Sequence, residues 1–378
     1  MLSFWEKRSL TSYNYIVIGG GIVGLSTAIS IRERCPEAKI LVLERGVFPS
    51  GASTKNAGFA CFGSLTELMY DIKNMGEEQT LTLVRERWLG LRQLRARLGE
   101  ENIDYQNHGG YELLRENELD ALNSLEEINR MLAPLFETDV FTERKDFIAS
   151  FGFNRHVIKS IIYNPFEGQI DTGKMMASLM AFARSAGIDL LTGAEVISFE
   201  EKSNGVEIQV KNLQNLEPIC FQSDYLAICT NAFARSLLPA LKLNPGRGQV
   251  LITSPIKGLT FKGVFHFDQG YYYFRNLGER IIFGGGRNLD FQGETSEEFG
   301  ITRLIMDNLL QKLKEIIIPT KDFAVEHQWS GIMAFGENKM PLLEKISDRV
   351  VVGVRLGGMG VAIGSRLGDH ICELIVPT

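Results

Sequence analysis

Four short apolar runs along the chain predict buried strands, at residues 15–18, 40–43, 225–229 and 349–354. Each run is apolar at nearly every position, which favours a strand covered on both faces. The pattern becomes helical from 22 to about 34 and again from 65 to 98, where apolar residues recur every three or four positions. Strand and helix therefore alternate near the start of the chain, and this order predicts an α/β fold.

The first predicted strand runs directly into a glycine motif, and the second ends in an acid. Gly19, Gly21 and Gly24 form a Gly-x-Gly-x-x-Gly pattern between strand and helix, and Glu44 closes the second strand. In such a unit the first glycine makes a tight turn, the second lets backbone approach a pyrophosphate, and the third packs helix against strand. The helix N-terminus attracts phosphates, while the acid accepts hydrogen bonds from ribose hydroxyls. The segment predicts a dinucleotide-binding site.

Later segments predict two further groups of elements. Asp171 is typical of a helix N-cap, with the helix reaching about Ala186. The other predicted elements are strands at 110–114, 188–191 and 206–211, a segment at 195–201 between the last two, a charged helical stretch at 116–132, and mostly strands over 236–325 with one helix near 302–315. Pieces of the nucleotide-binding unit at the start, middle and end of the chain imply a discontinuous domain with another domain inserted.

Composition and charge are those of an ordinary globular protein. The 378 residues are 44% apolar and 23% charged, enough for a sizeable core. The net charge of −6 gives no reason to expect nucleic acid or an anionic membrane as partner. We see no signal peptide and no apolar run near the roughly 20 residues of a membrane-spanning helix. Five cysteines without a Cys-x-x-Cys pair and histidines without an i, i+4 pair predict reduced thiols, a cytoplasmic location and no metal site.

Several segments together resemble the FAD-dependent D-amino-acid oxidase superfamily, which includes glycine oxidase, sarcosine oxidase and amino-acid dehydrogenases. The matching segments are 19–24 with Glu44, 51–58, 193–196, 230–232, 329–331 and 357–361. The resemblance implies a Rossmann-type, glutathione-reductase-like FAD-binding domain and an inserted α+β substrate domain built on an antiparallel sheet. We assign residues 1–100, 155–235 and 326–378 to the first domain, and 101–154 and 236–325 to the second.

The resemblance also implies which residues contact FAD. They are Gly19, Gly21, Ile22, Val23, Gly24, Glu44 and Arg45; Gly51, Ala52, Ser53, Thr54, Asn56, Ala57 and Gly58 beside the isoalloxazine and ribityl chain; Val196 at the adenine; Thr230, Asn231 and Ala232 near the phosphates; Trp329 and Gly331; and Gly357, Gly358, Met359, Gly360 and Val361 at the start of the final helix. Backbone N–H groups and the dipole of that helix would stabilise negative charge on the flavin pyrimidine.

The reaction that the resemblance implies is oxidation of the C–N bond of a small amine or amino acid. Hydride passes to flavin N5, water hydrolyses the imine, and O2 or a quinone-type acceptor takes the electrons. Tyr271 and Tyr273 share one face of a predicted strand and resemble the family's active-site tyrosine, with Tyr271 the first choice. Lys55 lies in the flavin loop, where a cation can assist oxygen reduction.

Two departures from the family change the expected site. Enzymes of the glycine-oxidase type clamp the substrate carboxylate with an arginine at the position that is Met333 here. The replacement candidates are Arg355, Arg275, Arg287 and Lys55, of which Arg355 ranks first because it ends the strand leading into the flavin-binding turn. Sarcosine-oxidase relatives tether flavin through a cysteine in the last third of the chain. Here that region holds only Cys372, deep in the final helix, so we expect non-covalent FAD.

Three alternatives to an amine oxidoreductase stay open. Residues 53–56 also resemble the flavin loop of 2-hydroxyglutarate dehydrogenases, which keeps an FAD-dependent 2-hydroxy-acid dehydrogenase as the main alternative. A tRNA-modifying flavin oxidase is disfavoured by the acidic charge balance. A non-enzymatic flavoprotein is the last alternative. The motifs do not choose the substrate, its stereochemistry, the electron acceptor or the oligomeric state.

Overall fold

The computed structural model describes residues 2–212 and 217–377. The strands are β1 (Ser12–Ile18), β2 (Ile40–Glu44), β3 (Phe59–Ala60), β4 (Gly110–Arg115), β5 (Thr142–Glu143), β6 (Ile158–Asn164), β7 (Gly168–Gln169), β8 (Asp189–Thr192), β9 (Val196–Lys202), β10 (Gly205–Val210), β11 (Ile219–Ile228), β12 (Asn244–Thr253), β13 (Val264–Phe267), β14 (Tyr272–Leu277), β15 (Arg280–Gly285), β16 (Val325–Phe335), β17 (Leu342–Lys345) and β18 (Val350–Val354).

The helices are α1 (Phe4–Leu10), α2 (Ile22–Arg34), α3 (Ala52–Lys55), α4 (Leu65–Met75), α5 (Glu77–Leu98), α6 (Leu125–Leu132), α7 (Asp146–Phe151), α8 (Thr172–Ser185), α9 (Arg303–Lys312) and α10 (Gly360–Ile375). Short 3-10 turns lie at Glu101–Ile103, Glu116–Ser124, Asn231–Ser236 and Arg287–Leu289. In the described part of the chain, no helix has the length and apolar character needed to cross a membrane.

The first large sheet is the nucleotide-binding half of the molecule. Its strand order is β17-β18-β11-β1-β2-β8, and the strands from β18 to β8 run parallel. Helices α2, α5, α8 and α10 pack on one face, while the antiparallel strands β9 and β10 extend from β11. Both faces are covered, which explains why Ile16 and Val17 are apolar in succession and fully buried. The predicted Rossmann-type α/β fold is confirmed.

The second large sheet supplies the other half and has the order β16-β12-β15-β14-β13-β4-β6-β5. Neighbouring strands are antiparallel except for β13 and β4. One face packs with α9 around an aromatic core that includes Phe265, Phe274 and Phe283. β6 pairs with β4 and β5 in this sheet, and β16 pairs with β12, although we assigned residues 155–164 and 326–335 to the nucleotide domain. That pairing joins segments distant in sequence, so no local pattern reveals it.

Several predicted elements differ from the observed ones in their ends or type. The helical pattern over 65–98 is two helices, because Gly76 takes a left-handed φ of +85° and ends α4. In the stretch 116–132 only α6 is α-helical, and Glu116–Ser124 forms the tighter 3-10 turn. The Asp171 N-cap is confirmed, since its side chain accepts a hydrogen bond of 2.9 Å from Lys174 N.

Candidate active site

A cavity of about 940 Å³ is lined by residues of both large sheets. The predicted site residues that line it are Gly19, Gly21, Ile22, Val23, Glu44, Arg45, Gly51, Ala52, Ser53, Lys55, Asn56, Ala57, Val196, Thr230, Asn231, Tyr271, Tyr273, Gly331, Arg355, Gly357, Gly358, Met359, Gly360 and Val361. These residues come from segments hundreds of positions apart. The fold therefore brings the separate sequence motifs into one site.

Five predicted residues do not line the cavity but support its walls. Gly24 packs against the backbone of Gly19, where a β-carbon would overlap a carbonyl oxygen. Thr54 donates its hydroxyl to the carbonyls of Pro49 and Gly51, and Gly58 lies against the carbonyl of Ile170. Ala232 is fully buried.

Trp329 is the fifth of these residues. Its Nε1 donates to the carbonyl of Lys55 at 2.9 Å. This bond ties β16 to the short helix α3 in the predicted flavin loop. The indole therefore fixes the backbone of Lys55 from outside the cavity, and it does not line the cavity itself.

Glu44 is buried at one end of the cavity and fixes the turns around it. Its Oε2 accepts from Gly20 N at 3.0 Å, and its Oε1 accepts from Gly46 N at 2.9 Å. Oε1 also accepts from the Ser50 hydroxyl at 3.4 Å, so Oε2 is the oxygen that keeps a lone pair for a ligand hydroxyl. At the start of α2, Ile22 N donates to Ser53 Oγ at 2.9 Å, which joins the glycine turn to the flavin loop.

The cavity has the features expected around a long phosphate-bearing ligand. A β-carbon added at Gly51, Gly357 or Gly360 would meet no atom within 4 Å, so the backbone there faces open space. Thr230 Oγ1 is buried and has no hydrogen-bond partner in the part of the chain that the structure describes. Asn231 nearby has a left-handed φ of 49° and accepts a hydrogen bond from Arg355 N. Strained backbone of this kind concentrates at ligand sites.

The aromatic strand β14 forms the opposite side of the cavity. Tyr273 is partly buried on the cavity face, and desolvation raises its pKa to about 12. Tyr271 lies just before β14 on the same side, partly exposed, with its ring 5.9 Å from that of Phe291. Tyr272 points the other way and donates to Asn308 Oδ1 at 2.8 Å. The predicted alternation of the three tyrosines is therefore confirmed.

Two of the candidate carboxylate anchors already donate their guanidinium hydrogen bonds to backbone carbonyls. Arg275 is buried outside the cavity, and its guanidinium donates to the carbonyls of Ala57, Ile170 and Asn276. Arg355 lines the cavity, but its guanidinium donates to the carbonyls of Met340 and Lys242 at 3.1–3.3 Å. The ranking of Arg355 as the first choice for the carboxylate anchor needs correction, because its guanidinium is directed at these carbonyls. Its position at the end of a strand did not indicate this side-chain direction.

Arg287 is a candidate anchor whose charge stays available to the cavity. Its guanidinium carbon lies 4.2 Å from the ring centroid of Phe335 and 5.1 Å from that of Phe291. Its Nε is buried without a partner. Among residues 2–212 and 217–377, no carboxylate forms an ion pair with it. Lys55 also lines the cavity, with Nζ 5.0 Å from the ring centroid of Phe299.

A family model described as FAD-dependent oxidoreductase matches residues 14–374. The chain belongs to this DAO family of FAD-dependent oxidoreductases. FAD is therefore its cofactor, and it is an oxidoreductase. The cavity described above is large enough for FAD, and its open glycine turns and buried Thr230 hydroxyl fit the diphosphate and flavin.

Known proteins resemble this member of the family over different lengths. L-2-hydroxyglutarate dehydrogenase of Escherichia coli (strain K12) is 26% identical over 255 residues, covering 66% of this chain and 54% of that enzyme. The chain therefore spans about half the length of this relative. Glycine oxidase from Geobacillus kaustophilus has a TM-score of 0.75 at 19% identity, covering 97% of this chain and 96% of that one. Iminodiacetate oxidase from Chelativorans sp. BNC1 has a TM-score of 0.73 at 20% identity, covering 96% and 95%.

FAD, when bound, supplies the acceptor for a hydride. We expect Glu44 to hold the adenosine ribose, the N-terminus of α2 the diphosphate, and the 357–361 turn the flavin pyrimidine, as the family resemblance implies. The start of α10 offers N–H groups there, and α10 runs for sixteen residues. Cys372 is buried in α10 and does not line the cavity, which supports the prediction of non-covalent FAD.

Sequence reasoning missed one wall of the cavity, which consists of Glu67, Asp71, His266 and Lys339. Lys339 Nζ lies 2.8 Å from Asp71 Oδ1 and 3.6 Å from Glu67 Oε1. Burial acts to raise the pKa of Glu67, but opposing interactions, of which the charge of Lys339 is the largest, lower it overall. The sequence contained a weak signal, two acids one turn apart on a predicted helix. Nothing local connects them to residues 266 or 339.

Proposed function

We propose that this chain oxidises the C–N bond of a small amine or amino acid, and that a substrate carboxylate binds Arg287. The observation that carries the proposal is the partly buried guanidinium of Arg287, which faces the cavity beside Tyr271 without a carboxylate of its own. A buried cation without a partner is costly, and a carboxylate ligand would relieve that cost through paired hydrogen bonds.

The position of Arg287 supports its use in place of the missing family arginine. Gly246 on β12 pairs with Met333 on β16, so both residues direct their side-chain positions to one face of the sheet. A β-carbon at Gly246 would lie 3.0 Å from Arg287 Nε. The Arg287 guanidinium therefore lies beside Met333, one strand away. An arginine from the turn after β15 reaches the region where the family pattern places one on β16.

The other cavity residues fit a reaction that requires orientation more than a nucleophile. Tyr271 and Tyr273 present phenolic hydroxyls from one side of β14. Tyr273 is neutral at physiological pH, because desolvation of its partly buried ring raises its pKa to about 12. Its hydroxyl can donate a hydrogen bond to a substrate carboxylate or accept one from an amine. Enclosure by Phe59 and Phe335 limits access of water.

A 2-hydroxy-acid dehydrogenase is the second candidate function, and one observation favours it. The relative from Escherichia coli at 26% identity is an L-2-hydroxyglutarate dehydrogenase. A 2-hydroxy acid also carries a carboxylate, so Arg287 serves either substrate class. The candidates differ in whether a C–N or a C–O bond is oxidised at the carbon next to that carboxylate.

The deciding experiment is an anaerobic titration of the FAD-loaded protein, followed by visible absorbance. The substrates are glycine, sarcosine, D- and L-amino acids, and 2-hydroxy acids. Bleaching of the flavin band by an amine supports C–N oxidation, while bleaching by hydroxy acids alone supports the second candidate. Admitting air then distinguishes O2 from another electron acceptor. No bleaching by either class contradicts both candidates.

The anchor is tested with Arg287→Met and with Arg280→Met as the matched control. Arg280 is partly exposed and pairs with Glu326 outside the cavity. We expect Arg287→Met to weaken binding of a carboxylate substrate about 100-fold, since a charge-assisted pair in a partly buried site is lost. Arg280→Met should match the wild type. Equal affinity in the wild type and Arg287→Met would remove Arg287 from the proposal.

A further inference from the structure

His266 occupies a row of side chains that crosses the second sheet on its cavity face. Gly284, Tyr273, His266 and Glu112 lie in register on the neighbouring strands β15, β14, β13 and β4. The residues on either side of His266 in sequence belong to the aromatic core on the opposite face. His266 therefore projects toward the cavity from the middle of a sheet, next to the predicted active-site tyrosine.

The His266 imidazole is enclosed beside the cavity, and one of its two nitrogens has no hydrogen-bond partner among the described residues. The residue is 5% exposed and lines the cavity, and its Nε2 is buried without a hydrogen-bond partner. The ring of Phe59 packs edge-on against both His266, at 5.2 Å, and Tyr273, at 5.5 Å. Phe59 directly follows the predicted flavin loop, so the imidazole lies close to that loop. Buried polar atoms without a partner are rare in native proteins and call for an explanation.

The surroundings of His266 favour the neutral imidazole, and they also contain a carboxylate that can stabilise the imidazolium after a proton is accepted. Burial lowers the pKa of His266, and the carboxylate of Glu67 opposes that shift. The titratable groups around it are Glu67 on α4, Glu112 on β4, Tyr273 on β14 and Lys339, which pairs with Glu67. Glu112 is bound by Ser64 and Thr66, and burial raises its pKa to about 7. Glu67 is thus the anion that would stabilise an imidazolium.

We propose that His266 is the base that accepts the proton leaving the substrate's amino or hydroxyl group. This inference rests on the proposed function. The substrate N–H or O–H bond breaks, its electron pair stays on the substrate atom, and a new N–H bond forms at His266 Nε2. FAD, the oxidant of the family, would then accept the Cα hydrogen together with the electron pair of the broken Cα–H bond, as hydride. Two electrons leave the substrate, and an imine or a carbonyl remains.

The first test compares His266→Asn with His327→Asn in the FAD-loaded protein. His327 is exposed on β16, stacks on Trp329 and does not line the cavity, so it is a matched control. The measurement is the rate of flavin bleaching on anaerobic mixing with substrate, across a range of pH. In the wild type and the control, we expect this rate to rise with pH through a pKa below the ordinary histidine value of 6.5.

His266→Asn should lower that rate about 100-fold or more, the usual contribution of a general base. Its remaining rate should rise only where the substrate's own group ionises. His266→Asn with the wild-type rate and pH profile overturns the proposal. That result leaves the proposed function intact, whereas a wild type that no amine or hydroxy acid reduces overturns both.

The second test uses the wild-type holoenzyme and does not depend on turnover. The probes are 2-aminoisobutyrate and 2-hydroxyisobutyrate, which carry the carboxylate and the amino or hydroxyl group but have no Cα hydrogen to lose. The imidazole nitrogen signals of His266, assigned with 15N-histidine labelling and His266→Gln, are followed by NMR. We expect bound probe to shift the Nε2 signal. An Nε2 signal that is unmoved at saturating probe overturns the proposal even if His266→Asn fails to fold.

Discussion

Hydrogen bonds to backbone carbonyls distinguish the candidate arginines of this protein that are already bound from the one that can bind a ligand. Arg275 and Arg355 each direct the guanidinium to main-chain oxygens, and this ties together segments that are distant in sequence. Arg287 instead lies between aromatic rings, which accept a cation through their faces but do not neutralise it. A difference of this kind depends on side-chain direction, and residue type alone does not reveal it.

Replacement of Glu44 tests the ribose assignment at the level of one carboxylate. Glu44→Ala should weaken FAD binding by roughly 10- to 100-fold, the range for loss of hydrogen bonds to a charged group. FMN lacks the adenosine half, so its weaker affinity should change little. Fluorescence titration of the apoprotein with each flavin measures both effects, with the exposed Glu37→Ala as control. Equal losses for FAD and FMN would show that Glu44 acts through loop geometry rather than the ribose.

The site could be predicted from sequence where a short segment carries its own chemistry. Gly21, Glu44 and the 357–361 turn belong to compact motifs, and the structure places them on the cavity. His266 and Lys339 carry no such motif, since a single histidine between phenylalanines is an ordinary strand pattern. Their role as cavity residues arises from pairing of β13 with β14 and from the loop after β16.

Among the helices, close crossings depend on glycines rather than on large apolar side chains. α10 meets α2 at Gly368, where a β-carbon would lie 2.8 Å from Thr27 N, and it meets α5 at Gly90, beside the carbonyl of Ala362. Both α2 and α10 begin at the cavity. The distance between α2 and α10 therefore sets the distance between the turn at 19–21, which precedes α2, and the turn at 357–361, which leads into α10.

Gly368→Ala should push α10 away from α2 and affect stability and FAD binding together. We expect a loss of about 1–3 kcal/mol in the free energy of unfolding, as for other overpacked contacts. Urea unfolding of the apoprotein measures this loss, and an FAD titration measures the second effect. Gly173→Ala on the exposed side of α8 is the control and should be neutral or slightly stabilising. Unchanged stability in Gly368→Ala would mean that the crossing is looser than its backbone contacts indicate.

Element prediction from sequence succeeded where burial is continuous and failed at local breaks. α2 and β2 lie where the pattern predicted them, because their apolar positions are buried on all sides. The apolar pattern predicted one helix over 65–98, although the helix is interrupted at Gly76. The spacing of apolar residues gives no sign of a single residue with a left-handed backbone conformation. The sequence did not reveal the strand pairing of the second sheet, because that pairing joins segments far apart in the chain. His266 was missed for the same reason.

For the molecule as a whole, buried carboxyl groups link stability to pH. Burial raises the pKa of Glu167 to about 8 and that of Glu112 to about 7. The unfolded chain releases these protons near the ordinary value of 4.5, while the native protein holds them. Their contribution is complete below that unfolded pKa and is lost as pH rises through the native pKa.

Glu167→Gln should flatten this dependence, because its neutral amide never ionises. The wild type should lose stability on the order of a few kcal/mol as pH rises from about 5 to about 8, at about 1.4 kcal/mol for each unit of pKa difference. Gln can still accept the hydrogen bonds that Phe62 N and Gly63 N donate to Glu167 Oε1. Urea unfolding at several pH values compares the two, with the exposed Glu126→Gln as control. Parallel curves for wild type and Glu167→Gln would exclude Glu167 as the source.

The cavity joins residues 19–23 to residues 357–361, and this has a consequence for how the protein is made. A ribosome completes the first of these walls early in translation and the second only when nearly all of the described chain has been synthesised. A nascent chain that stops short of α10 has no complete seat for the flavin. The complete FAD site, with both walls in place, therefore forms only after the last helix has docked.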